Sequence, residues 1–252
     1  MDAATVPPIT ALSEHEDAAA ALLATAARRL ARRDPTLGAV VKRAGRCTLR
    51  RQPGGFPRLF QAILRQQLAA KAAETITGRL LTALGGTALA EVVATLDDAA
   101  FAAAGVSRQK REYLRGLAAA SLAEPALYDR LEHLPDDTVI AALTAIKGVG
   151  RWTADMYLIF VLGRLDVLPL GDLSIRVAMT ELYGLKRATK PKRLMALAEA
   201  WRPYRSVACW YLYRYLDGRP ARPKEKAAKR RKDKGKTKAK TRGRAKVRGK
   251  NS

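Results

Sequence analysis

Cysteine is nearly absent from this chain of 252 residues: only Cys47 and Cys209 occur, far apart and in no Cys-x-x-Cys spacing. Neither a disulfide framework nor a thiolate metal site can be built from that pair, and a reducing compartment suits it. Histidine is equally scarce, and the isolation of His15 from His133 argues against a histidine-based metal site. Long apolar runs are missing too. The most apolar stretch, Tyr157 to Leu162, is far too short to cross a bilayer, and no basic-tipped apolar segment with a small-residue cleavage site opens the sequence. The expectation is a cytoplasmic or, in a bacterium, nucleoid-associated protein with no membrane partner.

Acidic residues are the other shortage, with 23 Asp and Glu against 47 Lys and Arg and a net charge of +24. From Arg219 to Ser252, seventeen basic residues face only Glu225 and Asp233, a net +15 that leaves +9 for residues 1–218. Both portions favour a polyanionic partner. No aromatic follows Tyr215, and a stretch of Lys, Arg, Ala, Gly and Thr cannot bury enough apolar surface to offset its ordering entropy. Residues 218–252 therefore read as a disordered basic tail, either a solubilising terminus or a nonspecific nucleic-acid arm.

In residues 1–50, a helix is predicted over Asp17 to Arg33, ended by Asp34-Pro35, and Leu37 to Arg51 reads as a short strand pair or irregular chain. From Phe56 the period is helical: Phe56, Leu59, Phe60, Ile63, Leu64 and Leu68 share one face, and helices separated by short Gly, Pro or Asp joints follow to Leu216. Residues 51–217 are predicted to be an all-α body, expected to form two helical lobes.

The sharpest local feature lies at 143–154, between two predicted helices: Leu-Thr-Ala-Ile-Lys-Gly-Val-Gly-Arg-Trp-Thr-Ala. Gly148 and Gly150 permit a tight turn and close main-chain approach to a ligand, while Ile146 and Val149 can anchor the turn in the core. Amides at the start of the second helix then face outward, where a phosphate oxygen is best held, with Lys147 and Arg151 adding charge. Carbonyls of the turn, at Ile146 and Gly148, can also chelate a monovalent cation, Na+ or K+, that bridges to the phosphate. The turn is no dinucleotide fingerprint, because no strand precedes it and the third glycine is missing.

Twenty residues past Trp152 the chain reads Pro169-Leu170-Gly171-Asp172, and Asp172 stands just before the next helical run. As an N-cap it is worth about 1 kcal/mol. A carboxylate pinned at a helix start also has the fixed orientation that an electrostatic catalyst needs.

Together, Ile146 to Ala154 and Pro169 to Asp172 resemble the hairpin and the Gly/Pro-rich loop with catalytic aspartate of the helix-hairpin-helix DNA glycosylases, most closely the alkylpurine branch, DNA-3-methyladenine glycosylase II. Phe56 to Ala73 with Gln66-Gln67, Gly105-Val106-Ser107 with Lys110, and Trp201 to Ser206 followed by Trp210 and Tyr213 fit as well. The likeness covers roughly residues 50 to 217.

The resemblance implies a two-lobed helical fold with a cleft, a monomer acting on double-stranded DNA containing damaged bases, and a nucleotide flipped into the cleft. Residues 147–151 clamp the backbone, and Asp172 supports an oxocarbenium-like sugar as the N-glycosidic bond breaks. Trp152 stands where bifunctional relatives carry a Schiff-base lysine, which implies hydrolysis without strand cleavage and an indole that can stack on a cationic purine. The iron-sulfur cluster of some relatives needs four cysteines and is excluded, so no cofactor is required.

Two positions depart from the pattern. Met156 replaces a tyrosine of a well-studied branch member, which leaves Tyr157, Trp210 and Tyr213 as candidate pocket aromatics, each of which core packing also explains. Gln67 takes the place of an apolar wedge that fills the gap left by the flipped nucleotide, and Gln66 serves either the helix start or the cleft. Arg176 either pairs with Asp172 or reaches a phosphate. The alternatives are the same scaffold acting on uracil, hypoxanthine or ethenoadenine, and a noncatalytic helix-hairpin-helix DNA-binding module.

Overall fold

The computed structural model describes residues 16–218, in which thirteen α-helices and no strand occur. In chain order they are α1 Glu16–Arg33, α2 Pro35–Ala44, α3 Phe56–Arg65, α4 Ala70–Ala83, α5 Ala90–Thr95, α6 Asp98–Ala104, α7 Arg108–Ala123, α8 Leu127–His133, α9 Asp136–Thr144, α10 Arg151–Phe160, α11 Leu173–Leu182, α12 Pro191–Ala198 and α13 Arg205–Asp217. A 3-10 turn, Glu199–Trp201, joins the last two. No helix among the described residues is long and apolar enough to cross a membrane. The basic tail and the first residues of the leader lie outside the described residues.

The helices pack in two groups within one compact unit that runs to Arg214. In the first, α3 packs on α4 and α7, α5 and α6 pack on α7, and α4 packs on α6. In the second, α1 packs on α2 and on the 3-10 turn, which also meets α12. Helices α9 and α10 pack on each other as the arms of the hairpin. Amphipathic α3 explains much of the first core: Leu59, Phe60, Ile63 and Leu64 are almost wholly buried. Its opposite face, at positions 58, 61, 62 and 65, is turned toward α10 and lines a cavity.

The segment predicted as strand or irregular is helical over Pro35–Ala44, and only residues 45–55 are irregular. Asp34 starts α2 by accepting the Leu37 amide at 3.0 Å, with Pro35 at the first helical position. Gly38 permits α1 and α2 to touch, since a Cβ there would lie 2.9 Å from the Ala31 carbonyl oxygen. That contact overrides the weak helix propensity of Gly38, Val40 and Val41. Residues 35–44 thus belong to the second group; Asp34 also accepts from Trp201 Nε1 at 2.8 Å and from the Tyr183 hydroxyl, fastening the N-terminal helices to the C-terminal ones.

Candidate functional site

The hairpin forms where it is predicted, between α9 and α10. Ile146 and Val149 are buried, and the Val149 amide closes the turn on the Ile146 carbonyl at 3.0 Å. Gly148 has φ +94°, and a Cβ on it would come within 2.5 Å of the Tyr113 ring, so no other residue fits there. Gly150 begins α10 without a side-chain cap, and the first main-chain bond of this helix is Ala154 N to Gly150 O at 3.1 Å. The amides of Arg151, Trp152 and Thr153 therefore precede the hydrogen-bond ladder and are free for an anion.

The two basic residues of the turn are not equivalent. Lys147 is exposed and 3.7 Å from Glu112. Arg151 donates from Nε to Asp155 at 2.8 Å, a carboxylate 2% exposed whose pKa burial raises and Arg151 partly restores. Asp155 thereby fixes the direction of the arginine that follows the turn.

Asp172 caps α11 with Oδ1, which accepts the amides of Ser174 at 2.7 Å and Ile175 at 3.2 Å. Its Oδ2 accepts Trp152 Nε1 at 2.8 Å and the Tyr213 hydroxyl at 3.0 Å. Four donors thus orient a carboxylate that is only 9% exposed. Burial, and then the neighbouring Asp172 charge, push the Tyr213 hydroxyl well above the usual phenol range, so it stays protonated and donates. Arg176 bonds the Leu170 carbonyl at 3.3 Å, bracing the loop before Asp172.

Trp152, 42% exposed, also forms one wall of a cavity of about 370 Å3 between α3 and α10. Met156, Tyr157, Phe160, Gln66 and Gln67 line it as well. Tyr157 is a rigid wall: its ring is buried, its hydroxyl accepts the Gly55 amide at 3.2 Å, and burial raises its pKa to about 12. Trp210 is not part of this cavity. Its ring meets that of Tyr211 edge-on, centroids 5.0 Å apart, with the Arg214 guanidinium 5.4 Å from its centroid. Tyr213 is not among the cavity-lining residues either; its hydroxyl joins the site through Asp172.

The loop between α3 and α4 is tied to the hairpin. Gln66 Nε2 donates to the Gly148 carbonyl at 2.8 Å. Lys110 Nζ donates to the carbonyls of Leu64 at 2.6 Å and Gln66 at 2.8 Å, which fixes the loop in which Gln67 takes φ +56°. Gln67 is exposed at the cavity rim. The sequence places Lys110 in a matching stretch but carries no local sign of this strap, whose partners lie 44 and 46 residues away. Among the described residues no His, Cys, Asp and Glu cluster could hold a metal ion.

Residues 60–203 match the model of the HhH-GPD superfamily base excision DNA repair proteins. The chain belongs to this superfamily. A DNA-3-methyladenine glycosylase 1 of Schizosaccharomyces pombe is 33% identical over 177 residues, covering 68% of this chain and 78% of the relative. A crystal structure of DNA-3-methyladenine glycosidase from Bacillus halodurans superposes with TM-score 0.68 at 37% identity, over 75% of this chain and 88% of that one. The S. pombe enzyme Mag1 in complex with abasic DNA gives TM-score 0.67 at 32% identity, over 75% and 95% of the two chains.

Proposed function

We propose that this protein is a monofunctional DNA glycosylase that hydrolyses the N-glycosidic bond of alkylated purines such as 3-methyladenine in duplex DNA. The observation that carries this reading is the Asp172 carboxylate, oriented by two helix amides, Trp152 and Tyr213 beside an aromatic-walled cavity. Relatives named as 3-methyladenine glycosylases support the choice of base.

In this reading the free amides of 151–153, with Lys147 and Arg151, hold the DNA backbone next to the lesion. Gln67, at the rim, fills the gap as the nucleotide rotates out, and the base enters against Trp152, Met156 and Tyr157. The C1′–N bond breaks with its electron pair passing to the base, and Asp172 stabilises the positive sugar electrostatically. Water adds its oxygen to C1′ and gives up a proton. Trp152 has no amine to form a Schiff base, so the strand stays intact.

No cofactor enters these steps. The carbonyls of Ile146 and Gly148 already accept Val149 N and Gln66 Nε2, and each retains one lone pair for a Na+ or K+ ion. Such an ion would reinforce the phosphate grip without taking part in the chemistry. A monomer acting at the nucleoid is the matching cellular picture.

The test uses duplexes carrying 3-methyladenine, 7-methylguanine, 1,N6-ethenoadenine, hypoxanthine or uracil, and compares the protein with Asp172→Asn. Release of free methylated purine that the substitution abolishes, with binding retained and no strand scission, is expected. Binding without release of any base would make it a binding module instead, and release that Asp172→Asn leaves untouched would remove Asp172 from the mechanism.

A further inference from the structure

The cavity has a second wall that the hydrolytic reading leaves unused. Opposite α10, the outward face of α3 presents Arg58, Gln61, Ala62 and Arg65, spaced three and four residues apart and therefore aligned. Arg58 is half-buried and Arg65 is exposed. Neither has an ion-pair partner among the described residues, and none of the residues lining the cavity is acidic. Both line the same cavity, and Arg58 is pulled below the usual arginine range by its burial and then by the Arg65 charge. An unneutralised cationic wall is an unusual lining for a cavity that receives a cationic base.

The charge of the departing base changes during the reaction. A purine alkylated at N3 or N7 is a cation before the C1′–N bond breaks and neutral afterwards. A neutral base takes the same electron pair and leaves as an anion, later collecting the proton that the attacking water releases. A guanidinium beside the base repels the cationic substrate, but it stabilises the anion and can donate two hydrogen bonds to an oxygen or ring nitrogen on its edge.

Resting on the glycosylase reading above, we infer that Arg58 and Arg65 are specificity-determining residues. They bind the acceptor edge of the flipped base and shift the enzyme's preference toward neutral lesions that depart as anions, relative to cationic alkylpurines that depart neutral. Arg58, the more buried of the two, carries most of the effect, since its hydrogen bonds are better shielded from water. Lysine at position 58 keeps the charge but loses the paired donors.

The test compares single-turnover release of hypoxanthine, a neutral 6-oxopurine, with release of 7-methylguanine, a cationic 6-oxopurine, by the full-length protein and its Arg58→Gln, Arg65→Gln and Arg58→Lys variants. The wild type should release both. The ratio of hypoxanthine to 7-methylguanine rates should fall about tenfold or more in Arg58→Gln, as loss of a charge-assisted hydrogen bond implies, less in Arg65→Gln, and recover in part in Arg58→Lys. An unchanged ratio overturns the inference: rates falling together with affinity for an abasic duplex would assign the arginines to phosphates, and rates that do not move would leave them idle. Release of 7-methylguanine without hypoxanthine by the wild type overturns the inference alone. Release of neither base overturns the inference, and the glycosylase reading falls with it only if 3-methyladenine is not released either.

Discussion

Trp152 Nε1 lies 2.8 Å from Asp172 Oδ2, so the residue that walls the cavity also holds the carboxylate. The Tyr213 hydroxyl donates to the same oxygen at 3.0 Å from α13. If Asp172 acts on the sugar, its aim depends on both donors. Trp152→Phe keeps a ring in the cavity wall and removes one donor, and Tyr213→Phe removes the other. Each should lower the single-turnover rate of base release roughly tenfold, the worth of a hydrogen bond to a charged group. The double variant should lose less than the product of the two effects if the donors share one role. Unaltered rates in both single variants would show that neither donor aims the carboxylate.

The same set of partners occurs a second time. Asp34 caps α2 with one oxygen and with the other accepts Trp201 Nε1 and the Tyr183 hydroxyl. What differs is exposure: Trp201 is wholly buried, whereas Trp152 is 42% exposed. The two carboxylates are equally buried, but Asp34 is held by a buried tryptophan and Asp172 by one that reaches the surface. Asp34→Ala removes a cap and strands the buried Trp201 donor and the half-buried Tyr183 hydroxyl, which should cost about 4 kcal/mol. Asp172→Asn keeps an acceptor for the helix amides and should cost about 1 kcal/mol while removing activity. Urea unfolding of the two variants checks the contrast, and comparable losses of stability would erase the distinction.

Much of the site was legible because it is local. The hairpin glycines, the amides after Gly150 and the cap at Asp172 depend on residues within a few positions of one another. The helical period of α3 named its buried face for the same reason. What sequence reasoning missed depends on distant partners. Gly38 needs the Ala31 main chain beside it before residues 35–44 make sense as a helix, and Lys110 finds its acceptors only once α7 lies against α3. The cationic wall was hidden because Arg58 and Arg65 read as an ordinary polar face until α10 closes the space opposite. Trp210 is a case the sequence left open between pocket and packing; its ring contacts are with Tyr211 and Arg214.

Alkali should reveal the buried phenols. Burial raises Tyr157 and Tyr211 to about 12, and raises Tyr183 and Tyr213 further with help from Asp34 and Asp172. In the unfolded chain each phenol titrates near its ordinary 10.0. Above that pH the folded state binds more protons, so stability is complete below about pH 10 and declines as pH rises through the folded values. Each such tyrosine adds about 1.4 kcal/mol per pH unit to the decline. Thermal midpoints should therefore drop between pH 10 and 12, and less steeply in Tyr213→Phe than in the wild type. Parallel curves for the two proteins would show that Tyr213 titrates normally in the folded state.

The last 34 residues raise a question of range rather than chemistry, since their net +15 exceeds the +9 of everything before them. Basic residues that neutralise phosphates release condensed counterions, and the logarithm of affinity then falls by about 0.9 per phosphate for each tenfold rise in salt. Ending the chain at Gly218 leaves the hairpin amides, the cavity and Asp172 in place, so base release from a saturated complex should be unaffected. Affinity for undamaged duplex should drop most at low salt, and the salt slope should flatten by about 0.9 for each phosphate the tail had neutralised. Measuring binding from low to physiological salt for the full and shortened chains separates the two roles. A slope that does not change would make those residues a solubilising terminus with no share in holding DNA.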